Sequence, residues 1–164
     1  MKPSRPVEPL DQLVRMLARR DLSRDEARRR LLSLELDPDQ VEEALEQAVA
    51  RRWLDDRRLA ENFIRKALEA DLPPSRELLE ERLAARGVPP EIAGPTLDQG
   101  LGSDWNRTLR ERLKRYVLSR VDRGHPARLF GRLARQGFGI DEVREAFAAC
   151  GVDLDDENDP RTVA

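Results

Sequence analysis

The sequence predicts an all-α fold: three tandem three-helix repeats, helix-turn-helix-like units that form an elongated, curved stack. Three observations carry this. The 164 residues are 38% charged and only 4% aromatic, as in helical chains rich in Ala, Glu, Leu and Arg, and too poor in β-branched and aromatic residues for a sheet. Apolar residues recur three and four positions apart almost throughout, the period of an amphipathic helix. The chain also repeats itself. A shift of 52 residues takes Ser23 to Ser75, Leu31 to Leu83, Leu36 to Val88 and Leu45 to Leu97, and a further 50 takes Leu83 to Leu133, Val88 to Phe138, Ala93 to Val143 and Leu97 to Phe147.

The elements follow in order. Asp11–Arg20 carries Leu13, Val14, Met16 and Leu17. Ser23 and Glu26 form a capping box that opens a helix with Ala27, Leu31 and Leu34. Asp37-Pro38 starts the next, with a capping carboxylate and proline at the first helical position. Its apolar face is Val41, Ala44, Leu45, Ala48 and Val49, and it ends near Trp53. In the second triplet, Asp55 or Asp56 caps a helix with Leu59, Phe63, Ile64, Ala67 and Leu68, which Leu72-Pro73-Pro74 terminates. Ser75 opens a helix with Leu79 and Leu83 that Gly87 ends in the left-handed conformation. Pro90 starts a third, with Ile92, Ala93 and Leu97, which Gly94-Pro95 should shorten or kink, an interior proline costing about 3 kcal/mol.

In the third triplet, Trp105, Leu109, Leu113, Tyr116 and Val117 line a helix of about 18 residues from Ser103, a length near 27 Å. Helical phase puts Trp105 in the core and leaves Trp53 open. A turn at Gly124-His125-Pro126 precedes a helix with Leu129, Phe130 and Leu133, ended by Gly137. The last helix carries Val143, Ala146, Phe147 and Cys150 and ends at Gly151. The resulting boundaries are 1–9 for a flexible tail, 10–54, 55–102 and 103–152 for the repeats, and 153–164 for an acidic, disordered tail.

The net charge of −2, taken alone, argues against a nucleic-acid partner. By region it becomes +3 for 1–36, −6 for 37–102, +5 for 103–150 and −4 for 151–164, so the total is a cancellation between surfaces. Ten basic and two acidic residues lie between Arg107 and Arg135. On a helical wheel Arg107, Arg110 and Lys114 fall within about 60° of one another, opposite the Trp105/Leu109/Leu113 stripe. Arg115 adds to this basic helix, and Arg128, Arg132 and Arg135 repeat the spacing on the next. Such a surface attracts phosphates through Coulomb forces and counterion release. The acidic middle region suits a basic protein surface. A chain with both faces fits a partner made of protein and DNA together.

Other chemistries find little support. One His and one Cys leave no Ser–His–Asp, Cys–His or imidazole metal site beyond what His125 alone could join. His125 reads as a turn or helix-start residue, and Cys150 as a small buried hydrophobe. Phosphate-cradling glycine motifs are absent, and adjacent acids such as Asp55-Asp56 are ordinary at helix starts. No catalytic, metal or cofactor-binding residues are therefore expected. One Cys fits a reducing compartment, no apolar run approaches the roughly 20 residues of a membrane span, and the proline-bearing N-terminus is unlike a signal peptide.

Arg52-Trp53-Leu54-Asp55-Asp56-Arg57-Arg58-Leu59-Ala60-Glu61-Asn62-Phe63 resembles the RecX family, whose members carry an aromatic–Leu–Asp–Asp segment followed by a charged residue, an aromatic or Leu, and Ala. Leu17–Glu26 resembles the family's first-repeat helix junction. Leu83-Ala84-Ala85-Arg86-Gly87-Val88 and Leu133-Ala134-Arg135-Gln136-Gly137-Phe138 resemble its Leu–x–x–Lys/Arg–Gly–apolar ending, and the likeness covers about 10–150. Trp53, Leu54, Asp55, Asp56, Ala60 and Phe63 are the motif positions. The chain departs from the pattern at Leu34-Glu35-Leu36 and Leu72-Pro73-Pro74, where Gly is usual, and at Gly94-Pro95, so local reshaping is expected there. The resemblance implies a cytoplasmic, non-enzymatic regulator of recombination and repair. It would bind RecA and RecA–single-stranded-DNA filaments and inhibit strand exchange, ATP hydrolysis and coprotease activity. It implies no cofactor, no membrane, a monomer, and direct contact with single- or double-stranded DNA. The alternatives are a helix-turn-helix DNA-binding factor acting without RecA and a pure protein-interaction scaffold.

Overall fold

The structure, a computed structural model, describes residues 8–121, 126–152 and 154. Among them are nine helices and no strand: α1 (Pro9–Leu17), α2 (Arg24–Leu32), α3 (Pro38–Ala50), α4 (Asp56–Leu68), α5 (Arg76–Ala85), α6 (Pro90–Leu101), α7 (Trp105–Leu118), α8 (Pro126–Arg135) and α9 (Ile140–Ala148). The all-α class and the succession of three helix triplets match the sequence expectation. The expected turn at Gly124-His125, most of the N-terminal tail and nearly all of the acidic C-terminal segment lie outside the described residues.

The helices form two compact units, Met1–Phe63 with Glu81–Thr96, and Ile64–Glu80 with Leu97–Ala164. In the first, α1, α2 and α3 pack on one another around Leu13, Leu31, Val41 and Leu45, all fully buried. In the second, α9 packs on α7 and α8 around Trp105, Leu113, Val117, Leu133, Val143 and Phe147. Each fully buried Val, Leu or Phe side chain among these contributes roughly 1.5–3 kcal/mol.

A serine–glycine clasp recurs in both units. Ser23 caps α2, accepting the Glu26 N–H at 3.0 Å, and its hydroxyl donates to the Arg86 carbonyl at the end of α5 at 2.6 Å. The Arg86 guanidinium donates to the Asp21 carbonyl at 2.9 Å. In the second unit Ser75 caps α5 through the Leu78 N–H at 3.2 Å, and its own N–H donates to the Gln136 carbonyl beyond α8 at 3.0 Å. Both serines are buried, their hydroxyls committed to helix ends. The start of one helix thereby meets the carbonyl end of another, satisfying groups that helix termini leave unpaired. Only half of the capping box forms: Glu26 pairs with Arg20, and with Arg30 at 3.1 Å, because nearby guanidinium groups outcompete a single backbone amide.

The reshaping expected at Leu34-Glu35-Leu36 does not occur. Glu35 takes φ +58°, the left-handed conformation that Gly87 (φ +75°) and Gly137 (φ +83°) adopt at the equivalent positions. Glu35 is exposed, so only its backbone is strained, whereas a Cβ at Gly87 would lie 2.5 Å from Asp25 Oδ2. Glu35→Gly is accordingly expected to stabilise the chain by about 1 kcal/mol, readable as a higher urea midpoint at unchanged slope.

Four further expectations are corrected. The first helix runs Pro9–Leu17 rather than Asp11–Arg20. Helix α6 is not shortened: it runs 12 residues, with Pro95 inside it. Pro95 is exposed, and the carbonyl it leaves without a donor belongs to Glu91, also exposed, so water can replace the lost bond. Helix α7 has 14 residues, not about 18, since Ser119 caps it and turns its hydroxyl back onto the Tyr116 carbonyl at 2.9 Å. Cys150 lies two residues past the end of α9, half-buried against the core.

Candidate functional site

Helix α8 is sharply two-faced. Pro126, Leu129 and Leu133 are buried, while Arg128, Arg132 and Arg135 are exposed and share the opposite face within about 60°. None of the three forms an ion pair with another described residue.

Helix α7 is different. Arg107, Arg110 and Lys114 do share a face, but it is largely compensated. Arg107 pairs with Asp104 at 2.7 Å, and Lys114 Nζ reaches Glu145 of α9 at 2.9 Å. Arg110 Nε donates to the Asn106 carbonyl at 3.3 Å. The Lys114 hydrogen bond and charge, with a weaker contribution from Arg110, hold the Glu145 carboxyl below its usual range, so it stays ionised and cancels part of the face. Arg115 lies elsewhere on the helix, with Arg112, Tyr116 and Arg120, around an open hollow of about 500 Å³ that Glu69 and Asp71 complete. Sequence reasoning missed Arg112 and Arg120. Their signal was the four-residue spacing of Arg112, Tyr116 and Arg120, which runs down one side of α7 and just past its end.

The Trp53-Leu54-Asp55-Asp56 junction is mainly architectural. Leu54 and Ala60 are buried, Phe63 is half-buried, and Asp55 caps α4 by accepting the Arg58 N–H at 2.9 Å. Asp56 accepts the Arg24 N–H at the start of α2 at 2.8 Å, a carboxylate placed at a helix N-terminus. Trp53 is 40% exposed, with the Arg51 guanidinium 4.9 Å from its ring centroid. Arg52, at φ +57°, turns the chain between helices α3 and α4.

Burial pushes the Asp56 carboxyl up from its ordinary value, the Arg24 amide opposes this, and Asp55 adds repulsion. A raised folded-state value means that the folded protein binds this proton more readily than the unfolded chain. The contribution is fully present in acid and is lost as pH rises from the ordinary carboxylate range, near 4, through the raised value. Asp56→Asn keeps the acceptor for Arg24 and removes the charge. The variant should match or exceed the parent's melting temperature at neutral pH, with a flatter pH dependence from the ordinary carboxylate range upward.

Among the described residues no group of three His, Cys, Asp or Glu side chains could hold a metal, and no helix is long and apolar enough to cross a membrane.

Comparison with known proteins places these features. No family model matches the chain. The regulatory protein RecX of Chromohalobacter salexigens is 35% identical over 141 residues, covering 85% of this chain and 91% of the relative. That of Halorhodospira halophila is 34% identical over 152 residues, 92% of this chain and 91% of the relative. In three dimensions the fold resembles the crystal structure of RecX from Lactobacillus salivarius, with TM-score 0.65 and 16% identity over 87% of this chain and 94% of that one. With two relatives above 30% identity aligned along nearly their whole length, and the same helical fold, the chain belongs to the RecX family of regulatory proteins.

Proposed function

We propose that this chain is a non-enzymatic, cytoplasmic and monomeric inhibitor of the RecA recombinase that binds RecA and RecA–single-stranded-DNA filaments. It restrains strand exchange, ATP hydrolysis and coprotease activity by occupying the filament rather than by chemistry of its own. The observation that carries the reading is the arginine face of α8, cationic and without ion-pair partners among the described residues. Guanidinium groups held this way suit phosphate oxygens, to which they bond in pairs. The acidic middle of the chain, −6 over 37–102, suits basic protein surfaces. Arg107, Arg110 and Lys114 are secondary contacts, since a phosphate would have to displace Asp104 and Glu145.

Labelled chain mixed with RecA filaments assembled on oligo(dT) tests this. Saturable binding that weakens with salt is expected. No binding, or sequence-selective binding to bare duplex without RecA, would favour the helix-turn-helix alternative or the scaffold.

A further inference from the structure

The hollow beside α7 contains a guanidinium built into a platform. The Arg120 guanidinium lies over the Tyr116 ring, 3.8 Å from its centroid. It is pinned there from two sides, donating to Ser119 Oγ at 2.7 Å and pairing with Asp71 at 3.3 Å. Ser119 is itself fixed by its bond to the Tyr116 carbonyl. Tyr116 packs against the core of its unit, so the platform rests on a rigid support. Arg112 and Arg115 border the same hollow, and neither forms an ion pair with a described residue. Asp71 is engaged by Arg120, which leaves Glu69 as the other acid among the described residues of the hollow, beside two arginines without an ion-pair partner among the described residues.

We infer that this hollow seats one unstacked nucleotide of a single strand. The base lies on the outer face of the Arg120 plane, forming a base–guanidinium–tyrosine stack, and the flanking phosphates meet Arg112 and Arg115. Guanidinium planes and aromatic rings are the surfaces on which splayed bases stack, and phosphates are the natural counter-ions of paired arginines. The volume of about 500 Å³ falls within the range of small-ligand pockets. Duplex DNA keeps its bases inside the stack and can offer this site only phosphates. The hollow therefore confers strand selectivity, which the exposed arginines of α8 do not. This seat rests on the reading that the chain meets nucleic acid.

Arg120→Lys isolates the stack, because it keeps the charge and removes the plane. Fluorescence anisotropy with labelled oligo(dT) and a labelled duplex of equal length should show binding to oligo(dT) roughly five- to tenfold weaker, with duplex binding unchanged. Equal loss on both ligands, or no loss on either, overturns the seat. Should Arg120→Lys lower the melting temperature markedly, the surface pair Arg112→Gln with Arg115→Gln replaces it, with a larger loss on oligo(dT) than on duplex expected and equal losses overturning the proposal. If the variants keep the parent's strand preference while still inhibiting RecA ATP hydrolysis, the seat alone is wrong. If the parent binds neither nucleic acid, the underlying reading is wrong.

Discussion

Gly137→Ala is expected to be among the most destabilising single-methyl changes in the chain, by about 2–4 kcal/mol. Two effects add. At φ +83° any side chain meets the left-handed penalty of about 1–2 kcal/mol. The added Cβ would also lie 2.5 Å from Ser75 Oγ and 2.8 Å from Leu78 Cβ. Neither neighbour can yield freely, because Ser75 Oγ caps α5 through the Leu78 amide and the Ser75 N–H is bonded to Gln136. Relief would break the clasp. Gly102→Ala is the control: its φ is +75°, but nothing lies within 4 Å of the new methyl. It should lose only about 1–2 kcal/mol. Urea unfolding of the two variants separates backbone strain from the clasp, and equal losses would mean that the clasp contributes nothing.

Replacing Arg128, Arg132 and Arg135 together with Glu should abolish salt-sensitive binding to RecA–DNA filaments while leaving the melting temperature within a few degrees of the parent. The three side chains are exposed and unpaired among the described residues, so their removal exposes no buried partner. The milder triple Ala variant should reduce the logarithmic salt slope by up to about 0.7 for each single-strand phosphate that is no longer neutralised. Arg107, Arg110 and Lys114 changed to Ala should reduce it less, because Asp104 and Glu145 already neutralise much of that face. A larger effect from the α7 set than from the α8 set would reverse the assignment of the phosphate-facing surface.

Much of this was legible in the sequence, and the division follows the range of the interactions. Helix starts at Ser23, Asp37 and Ser75 were readable because a cap is a bond within one turn, and Pro90 because its fixed φ suits the first helical position. Gly87 and Gly137 were readable for the same reason. Glu35 was not, since a carboxylate residue holding a left-handed end reflects open space around it rather than its own propensity. Pro95 was misleading because its penalty depends on whether the deprived carbonyl sees water. The basic faces were readable as spacing, but the compensation of the α7 face was not. Lys114 and Glu145 are 31 residues apart and meet only through the packing of α7 on α9. The hollow was hidden likewise, since Asp71 lies 49 residues from the Arg120 that it pins.

The most direct test of the central claim is RecA-catalysed ATP hydrolysis on single-stranded DNA with increasing amounts of this chain. A non-enzymatic regulator that occupies the filament should depress hydrolysis progressively, with clear inhibition at or below equimolar ratio to RecA. Unchanged hydrolysis at that ratio, with the chain folded and in low salt, would contradict the account.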